Sequence, residues 1–559
     1  MKKRSLLLLM LAGLLSSCMP VNSSSSFPSS ETPVSSEQSS SLEEPSISSE
    51  EEVSSEEPSS EETSSEEPSS EQSSSSLEPR DYVFSFYNIN DFHGHVNVED
   101  TGYSSTYCPG ASTLGAYLDD FKALNPEGYV FTNSGDMFQE TYESYVSKGN
   151  VVSEILDTLD CEAMALGNHE FDWGIEPLMQ NKQYLGDCDL LAANVYCYDN
   201  VNNKVGERAT DKFDPYTIIN RQGVNIGIIG VIGEGQWTSI SSSIVGDYTF
   251  VNPTEDIKQY AYELKEEHDC KIVIVLGHGS FNDFGGNYST NKEITKEYKD
   301  GVRYVDGMFL GHSHKKENKK LNGVPFVQSY GRGSQVSHFE LTLDGVSGEV
   351  TCTKSTNINI EINNNKKHAG VDAVLDKYLD ENYYKDANRG VGYMSGNTTR
   401  ISENVAGKFH AYAAYDQIKD IYSDVVLVGN NGGRSEVIIN DDNSVSKEML
   451  FRMNPFTNKL CIAYISGADI MSSFGSYNCY YMPNDIDIKS NEMYKVAIVD
   501  YHLLHMNTKR EYDRFPSLTN VIATYDVYPC DTTINYLLEH GSISLDFLTN
   551  DPGFSYLSY

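Results

Sequence analysis

Tyr82-Val83-Phe84-Ser85-Phe86-Tyr87-Asn88-Ile89 runs directly into Asn90-Asp91-Phe92-His93-Gly94-His95. An apolar, aromatic run of this length reads as a strand, and the cluster that ends it carries carboxylate, amide and imidazole groups. The same join recurs four times. Tyr129 to Thr132 leads into Asn133-Ser134-Gly135-Asp136, and Ala163 to Leu166 into Gly167-Asn168-His169-Glu170-Phe171-Asp172. Lys271 to Leu276 leads into Gly277-His278-Gly279, and Gly307 to Leu310 into Gly311-His312-Ser313-His314. Val224 to Val231 reads as a further strand, and amphipathic stretches lie between these runs, the pattern of a mixed α/β protein. Ligands of such sheets gather beyond the carboxyl ends of the strands, so the clusters are expected to meet in one pocket.

That pocket would hold Asp, Asn and His side chains together, a mixed oxygen and nitrogen set that suits Zn, Mn or Fe better than Ca or Mg. Two divalent ions fit this number of ligands. Asp91 and His93 reach one ion from alternate positions of one loop, Asn168 and His278 reach another, and Asp136 offers a carboxylate with two oxygens to bridge them.

Taken in order, Asp91-x-His93, Gly135-Asp136, Gly167-Asn168-His169-Glu170, Gly277-His278 and Gly311-His312-x-His314 resemble the signature of calcineurin-like metallophosphoesterases. Within that superfamily, Asn90 to His95 and Gly167 to Asp172 most resemble the bacterial 5′-nucleotidase and 2′,3′-cyclic-nucleotide phosphodiesterase family, and the likeness runs from Asp81 to the C-terminus. The resemblance implies that Asp91, His93, Asp136 and His314 hold one metal, and Asp136, Asn168, His278 and His312 the other. It also implies a four-layer α/β/β/α catalytic domain followed by a smaller α/β domain that grips the nucleoside of a nucleotide substrate. Two such ions acidify a shared water and neutralise phosphate oxygens as charge moves to the leaving group. His169 would then donate a hydrogen bond to the phosphate or leaving oxygen, with Asp172 fixing its ring and stabilising its protonated form.

Val371, Val374, Leu375, Tyr378 and Leu379 fall at helical spacing, and a second domain is expected to start near Gly392 with strands over Val425 to Val428, Lys459 to Ile465 and Tyr494 to Val499. Asn430-Asn431-Gly432-Gly433-Arg434 resembles the family's Asn-x-Gly-Gly-x-Arg loop with one residue missing before the arginine, and Arg400 resembles a further phosphate-contacting arginine. Pro455-Phe456-Thr457-Asn458 resembles the segment whose aromatic ring stacks on the base, and Tyr501 lies where the family places the second stacking ring. The chain departs after Tyr501: His502-Leu503-Leu504-His505-Met506-Asn507 stands where the family carries a Gly-Gly-Asp ribose contact. That departure keeps open a phosphoesterase for a non-nucleotide ester, and the long acidic run before Pro79 is compatible with display of a catalytically silent surface-binding lipoprotein.

Met1-Lys2-Lys3-Arg4, the apolar run Leu6 to Leu15 and Ser16-Ser17-Cys18 follow the order of an export signal, and Leu15 to Cys18 resembles the lipobox whose cysteine is acylated. From Asn22 to Pro79 the chain is nearly all Ser, Glu and Pro, a composition that buries too little apolar surface to fold. Its 15 glutamates between Glu31 and Glu78 have no basic residue among them, so an extended tether is expected. The expected layout is thus signal peptide 1–18, tether 19–80, catalytic domain 81–365, linker helix 366–391 and nucleotide-binding domain 392–559. The place of action is expected to be the outer face of a bacterial membrane, anchored through a lipid on Cys18. A net charge of −40 argues against duplex nucleic acid as a partner, which needs a basic footprint. Of ten cysteines none forms a C-x-x-C pair, and Cys188 and Cys197 are close enough in sequence for a small disulfide loop or for free thiols.

Overall fold

Twelve strands among the described residues build two large sheets in the first half of the folded chain: β1 (Asp81–Ile89), β2 (Tyr129–Asn133), β3 (Ala163–Ala165), β4 (Asp189–Leu191), β5 (Tyr216–Arg221), β6 (Val224–Ile232), β7 (Ile272–His278), β8 (Gly307–Phe309), β9 (Glu317–Leu321), β10 (Val324–Gln328), β11 (Gln335–Asp344) and β12 (Val350–Asn359). The computed structural model describes residues 77–99, 107–285, 289–396, 400–430, 432–434, 437–455, 458–474, 479–507, 509–525 and 529–557. The segment expected to be an export signal, Cys18, the expected tether up to residue 76 and Phe456 lie outside the described residues.

The strands form two six-stranded sheets, in the orders β12-β11-β1-β2-β3-β4 and β9-β10-β8-β7-β6-β5. In the first sheet β1, β2, β3 and β4 run parallel and the antiparallel β11 and β12 close one edge, whereas in the second β6, β7, β8 and β10 run parallel and antiparallel β5 and β9 close both edges. Sequence explains this division. Parallel strands covered on both faces must be apolar throughout, and β6 and β7 read Val-Asn-Ile-Gly-Ile-Ile-Gly-Val-Ile and Ile-Val-Ile-Val-Leu-Gly-His, almost wholly buried.

Helices α1 (Ala111–Leu124), α2 (Asn150–Thr158) and α4 (Ala369–Tyr378) share one core with the first sheet, and α3 (Thr254–Glu266) shares another with the second. The sheets themselves meet through aromatic rings: Phe309 of β8 stacks on Phe339 of β11 at 4.2 Å between centroids, and Phe86 of β1 lies 5.2 Å from the same ring. Gly307 permits this approach, since a Cβ there would stand 2.6 Å from the Phe339 ring. The layers are therefore helix, sheet, sheet, helix. Register brings the strand ends together, with Ile89 beside Asn133 and Ile232 beside His278.

Beyond α4 a second helix spans Glu381–Ala387, and a smaller α/β part follows. Its sheet orders β13 (Leu427–Gly429), β14 (Leu460–Ser466), β15 (Tyr480–Tyr481), β16 (Met493–Val499) and β17 (Val521–Tyr525) as β15-β13-β16-β14-β17. Helix α5 (Glu403–Ile418) packs beside it, capped where the Ser402 side chain accepts from Val405 N–H. From Glu78 onward both parts belong to one compact unit. The nine described cysteines are free thiols, with Cys188 buried and Cys197 exposed. Among the described residues no helix is long and apolar enough to cross a membrane.

Candidate metal centre

Past the sheet edge the β1 and β2 loops continue side by side. Asp91 N–H donates to Gly135 O (3.0 Å), His93 N–H to Asp136 O (3.0 Å) and Gly94 N–H to Met137 O (2.9 Å). Asp91, His93, Asp136, His312 and His314 all adopt left-handed backbone, with φ of 51°, 53°, 56°, 73° and 50°. Each costs conformational energy that an L residue normally avoids, and such strain persists where the surroundings fix it, typically at functional sites. Gly167 is required by a close approach, since a Cβ there would run into the Asp136 carboxylate.

The side chains so placed meet in three overlapping groups, Asp91-His93-His314, His93-Asp136-His169 and Asp136-His278-His312, each with ligand atoms within 4.8 Å of one another. His93 Nε2 lies 2.9 Å from His314 Nε2, and His314 Nε2 lies 3.3 Å from Asp91 Oδ1. His278 Nε2 is 3.1 Å from Asp136 Oδ2 but outside hydrogen-bond geometry, and His312 Nδ1 is 3.0 Å from Asn168 Oδ1. His93 Nδ1 faces Gln139 O and His278 Nδ1 faces Ser134 O, both at 2.8 Å. Rings that donate Nδ1–H to a carbonyl turn their Nε2 lone pairs inward, the tautomer a metal needs. Asn168 Nδ2 is buried without a hydrogen-bond partner, as expected if its Oδ1 is the working atom. Imidazole nitrogens and carboxylate oxygens crowded with lone pairs facing one another fit divalent cations of the Zn or Mn class.

The buried charges of the site act strongly on one another. Burial works against the Asp91 anion, yet the facing His314 ring holds its carboxyl down to about 2. Burial likewise opposes charge on His278, but the Asp136 carboxylate outweighs it and lifts the imidazole to about 9. His312 and His169 are held at about 4, chiefly by burial. The His169 ring places Nδ1 2.5 Å from Asp172 Oδ2 and Nε2 3.9 Å from Asp136 Oδ2. Asp172 thus fixes the orientation of the ring.

Around the candidate ligands stand residues that sequence reasoning left without a definite task. The buried Glu170 carboxylate accepts from the N–H groups of Asp136 (2.8 Å), Met137 (2.7 Å) and Gly167 (2.7 Å), tying two ligand loops together. Asn90 donates to Asp91 Oδ2 (2.5 Å) while its own oxygen accepts from Ser329. Both residues sit inside the quoted motifs, which was the only available signal. Glu140 has none: its carboxylate meets Arg332 and Arg434, a contact that only the fold creates.

The expected nucleotide-contacting residues lie in the C-terminal part. Arg434 Nε is 3.3 Å from Glu140 Oε1, beside the metal-ligand loop. Asn458 is buried and its side chain hydrogen-bonds Asp500, the residue that starts the turn carrying Tyr501. Tyr501 is 3% exposed, its hydroxyl is buried without a partner, and the Arg514 guanidinium stands 5.1 Å from its ring centroid. Arg400 is exposed on a two-residue strand paired to Val437 and Ile438. His502, in the departing stretch, is half-buried and packs against Phe474 and Phe515 with Arg514 Nη1 2.7 Å from its Nδ1. That ring is a packing element of the C-terminal part.

Residues 84–316 match the family model described as calcineurin-like phosphoesterase. Fold and site thus define a metallophosphoesterase, a metal-dependent hydrolase of phosphate esters. An apyrase of Tabanus yao is 25% identical over 480 residues, spanning 78% of this chain and 80% of that protein. A 5′-nucleotidase of Vibrio cholerae is 22% identical over 438 residues, spanning 70% of this chain and 74% of that one. The 5′-nucleotidase precursor of Thermus thermophilus superposes with a TM-score of 0.63 at 18% identity, covering 83% of this chain and 97% of that structure. The chain is thus similar, over most of its length, to proteins named as 5′-nucleotidases.

Proposed function

We propose that the chain is an exported two-metal phosphohydrolase that releases phosphate from nucleoside 5′-monophosphates or opens 2′,3′-cyclic nucleotides outside a bacterial membrane. The observation that carries this reading is the place of Asp136, which lies in one group with His93 and His169 and in another with His278 and His312. A carboxylate in that position can serve two ions at once. Asp91, His93, Asp136 and His314 would hold one, and Asp136, Asn168, His278 and His312 the other. When bound, the ions lower the pKa of water and offset negative charge on the phosphate oxygens.

The remaining steps fall to the chain's own side chains. His169, oriented by Asp172, would hydrogen-bond the phosphate or the leaving oxygen. Arg434 would meet a further phosphate oxygen with its planar fork, and Arg400 would approach the same end of the substrate. Tyr501 and Phe456 would face the base from either side, with Asn458 serving the same subsite through its hydrogen bond to Asp500 at the start of the Tyr501 turn. The export signal and tether support an anchored position outside the cell, through a lipid on Cys18. The apyrase and nucleotidase relatives support a nucleotide as substrate.

A phosphate ester without a nucleoside is the second reading, favoured by one observation: no Gly-Gly-Asp stretch follows Tyr501, and the His502 ring there packs against Phe474 and Phe515. A panel of AMP, a UDP-sugar, 2′,3′-cyclic AMP and glycerol phosphate with metal-loaded protein separates the two. Turnover of AMP or the cyclic nucleotide is expected, and hydrolysis of glycerol phosphate alone would refute the nucleotide reading.

A further inference from the structure

Glu140 is an uncomfortable residue. Its backbone sits at φ 143°, outside the range L side chains favour, and the residue is 6% exposed. A buried carboxylate is costly unless paired, and this one faces two guanidinium groups and, at 3.9 Å, the His95 ring. Arg332 Nη2 lies 2.9 Å from Oε1, while Arg434 offers Nε at 3.3 Å to Oε1 and Nη2 at 3.4 Å to Oε2. One guanidinium comes from the metallophosphoesterase part and the other from the C-terminal part. The preceding residue works at the same junction, since Gln139 O meets His93 Nδ1 at 2.8 Å and Gln139 Nε2 donates to Pro455 O at 2.9 Å. Arg434 is anchored on its other side, its N–H donating to Met453 O at 2.8 Å.

We infer that Glu140 is a positioning residue that holds the Arg434 guanidinium ready for the phosphate end of the substrate, which rests on the reading of Arg434 given above. Arginine carries large rotamer freedom, and a fork already held by a fixed carboxylate loses less of it on binding. The strained backbone is what brings the Glu140 side chain inward from a metal-ligand loop, so the metal loop and the phosphate-binding arginine keep a set relation.

A double-mutant cycle on the metal-loaded full chain tests this, with KM and kcat for AMP and bound metal as readouts. Glu140→Gln is expected to raise KM roughly tenfold, the loss of one charge-assisted hydrogen bond, with kcat within about twofold and metal content unchanged. In an Arg434→Met background the same change is expected to add nothing to KM. Equal effects in both backgrounds, or an unaltered KM in Glu140→Gln alone, would overturn the inference. An Arg434→Met chain with wild-type KM would instead remove the reading of Arg434 beneath it. Should Glu140→Gln fail to fold, Glu140→Gly relieves the backbone while removing the carboxylate, and the same KM rise and the same silence beside Arg434→Met are expected.

Discussion

Asp91, His93, Asp136, His312 and His314 stand in left-handed backbone because each follows a strand that must end abruptly and turn its side chain inward. The residue types were legible, since Asp, Asn and His tolerate that conformation better than branched residues. What holds the turns was not, because it rests on contacts made after folding. Glu170 is the clearest case, with three backbone N–H groups converging on one carboxylate. Glu170→Gln sets an amide NH2 against a buried N–H group, so unfolding in urea should find the protein about 1–3 kcal/mol less stable. An unchanged midpoint would mean that the loops are held elsewhere. Asn90→Ala removes the donor to Asp91, and metal affinity by competition with a chelator should fall about 10- to 100-fold.

Among the elements, the central strands were readable and the edges were not. β1, β2, β6 and β7 are runs of apolar residues buried on both sides, and their limits in the structure fall close to those expected from sequence. β9 reads Glu-Asn-Lys-Lys-Leu and β12 Val-Thr-Cys-Thr-Lys-Ser-Thr-Asn-Ile-Asn, half-exposed edge strands whose polar composition hides them. β11 carries a titratable group into the core: the ring of His338 stacks on Tyr87 at 4.4 Å and Nδ1 meets Phe86 O at 3.0 Å. Burial holds this imidazole at about 4. Between that value and the unfolded pKa of about 6.5 the unfolded chain takes up a proton that the folded chain refuses. The contribution is therefore intact above pH 6.5 and is lost as the pH falls, by on the order of 2 kcal/mol between pH 7 and pH 5. Unfolding of His338→Gln at both values should have a shallower acid slope than wild type; an equal slope would place the acid sensitivity elsewhere. At the sheet interface, Gly307→Val would force the Phe339 ring away and should cost about 1–3 kcal/mol, read as a fall in Tm.

For the molecule as a whole, the order of the clusters along the chain carried both the architecture and the enzyme class, because parallel strands deliver their ends to one edge. The C-terminal part was less legible. Its strands were found, but the inward packing of His502 against Phe474 and Phe515, and the pairing of Arg434 with Glu140, depend on residues far apart in sequence. Removing residues 1–80 should leave kcat and KM unchanged, since the site is built from Asp91 onward; a loss of activity would assign the leader a part in the fold. The central claim is that Asp136 serves two cations. Its most direct test is metal analysis of the purified chain beside Asp136→Asn, by plasma mass spectrometry after exhaustive dialysis. Two divalent ions per wild-type chain and fewer than one per variant chain are expected, whereas one ion or none in wild type, or two in the variant, would contradict the account.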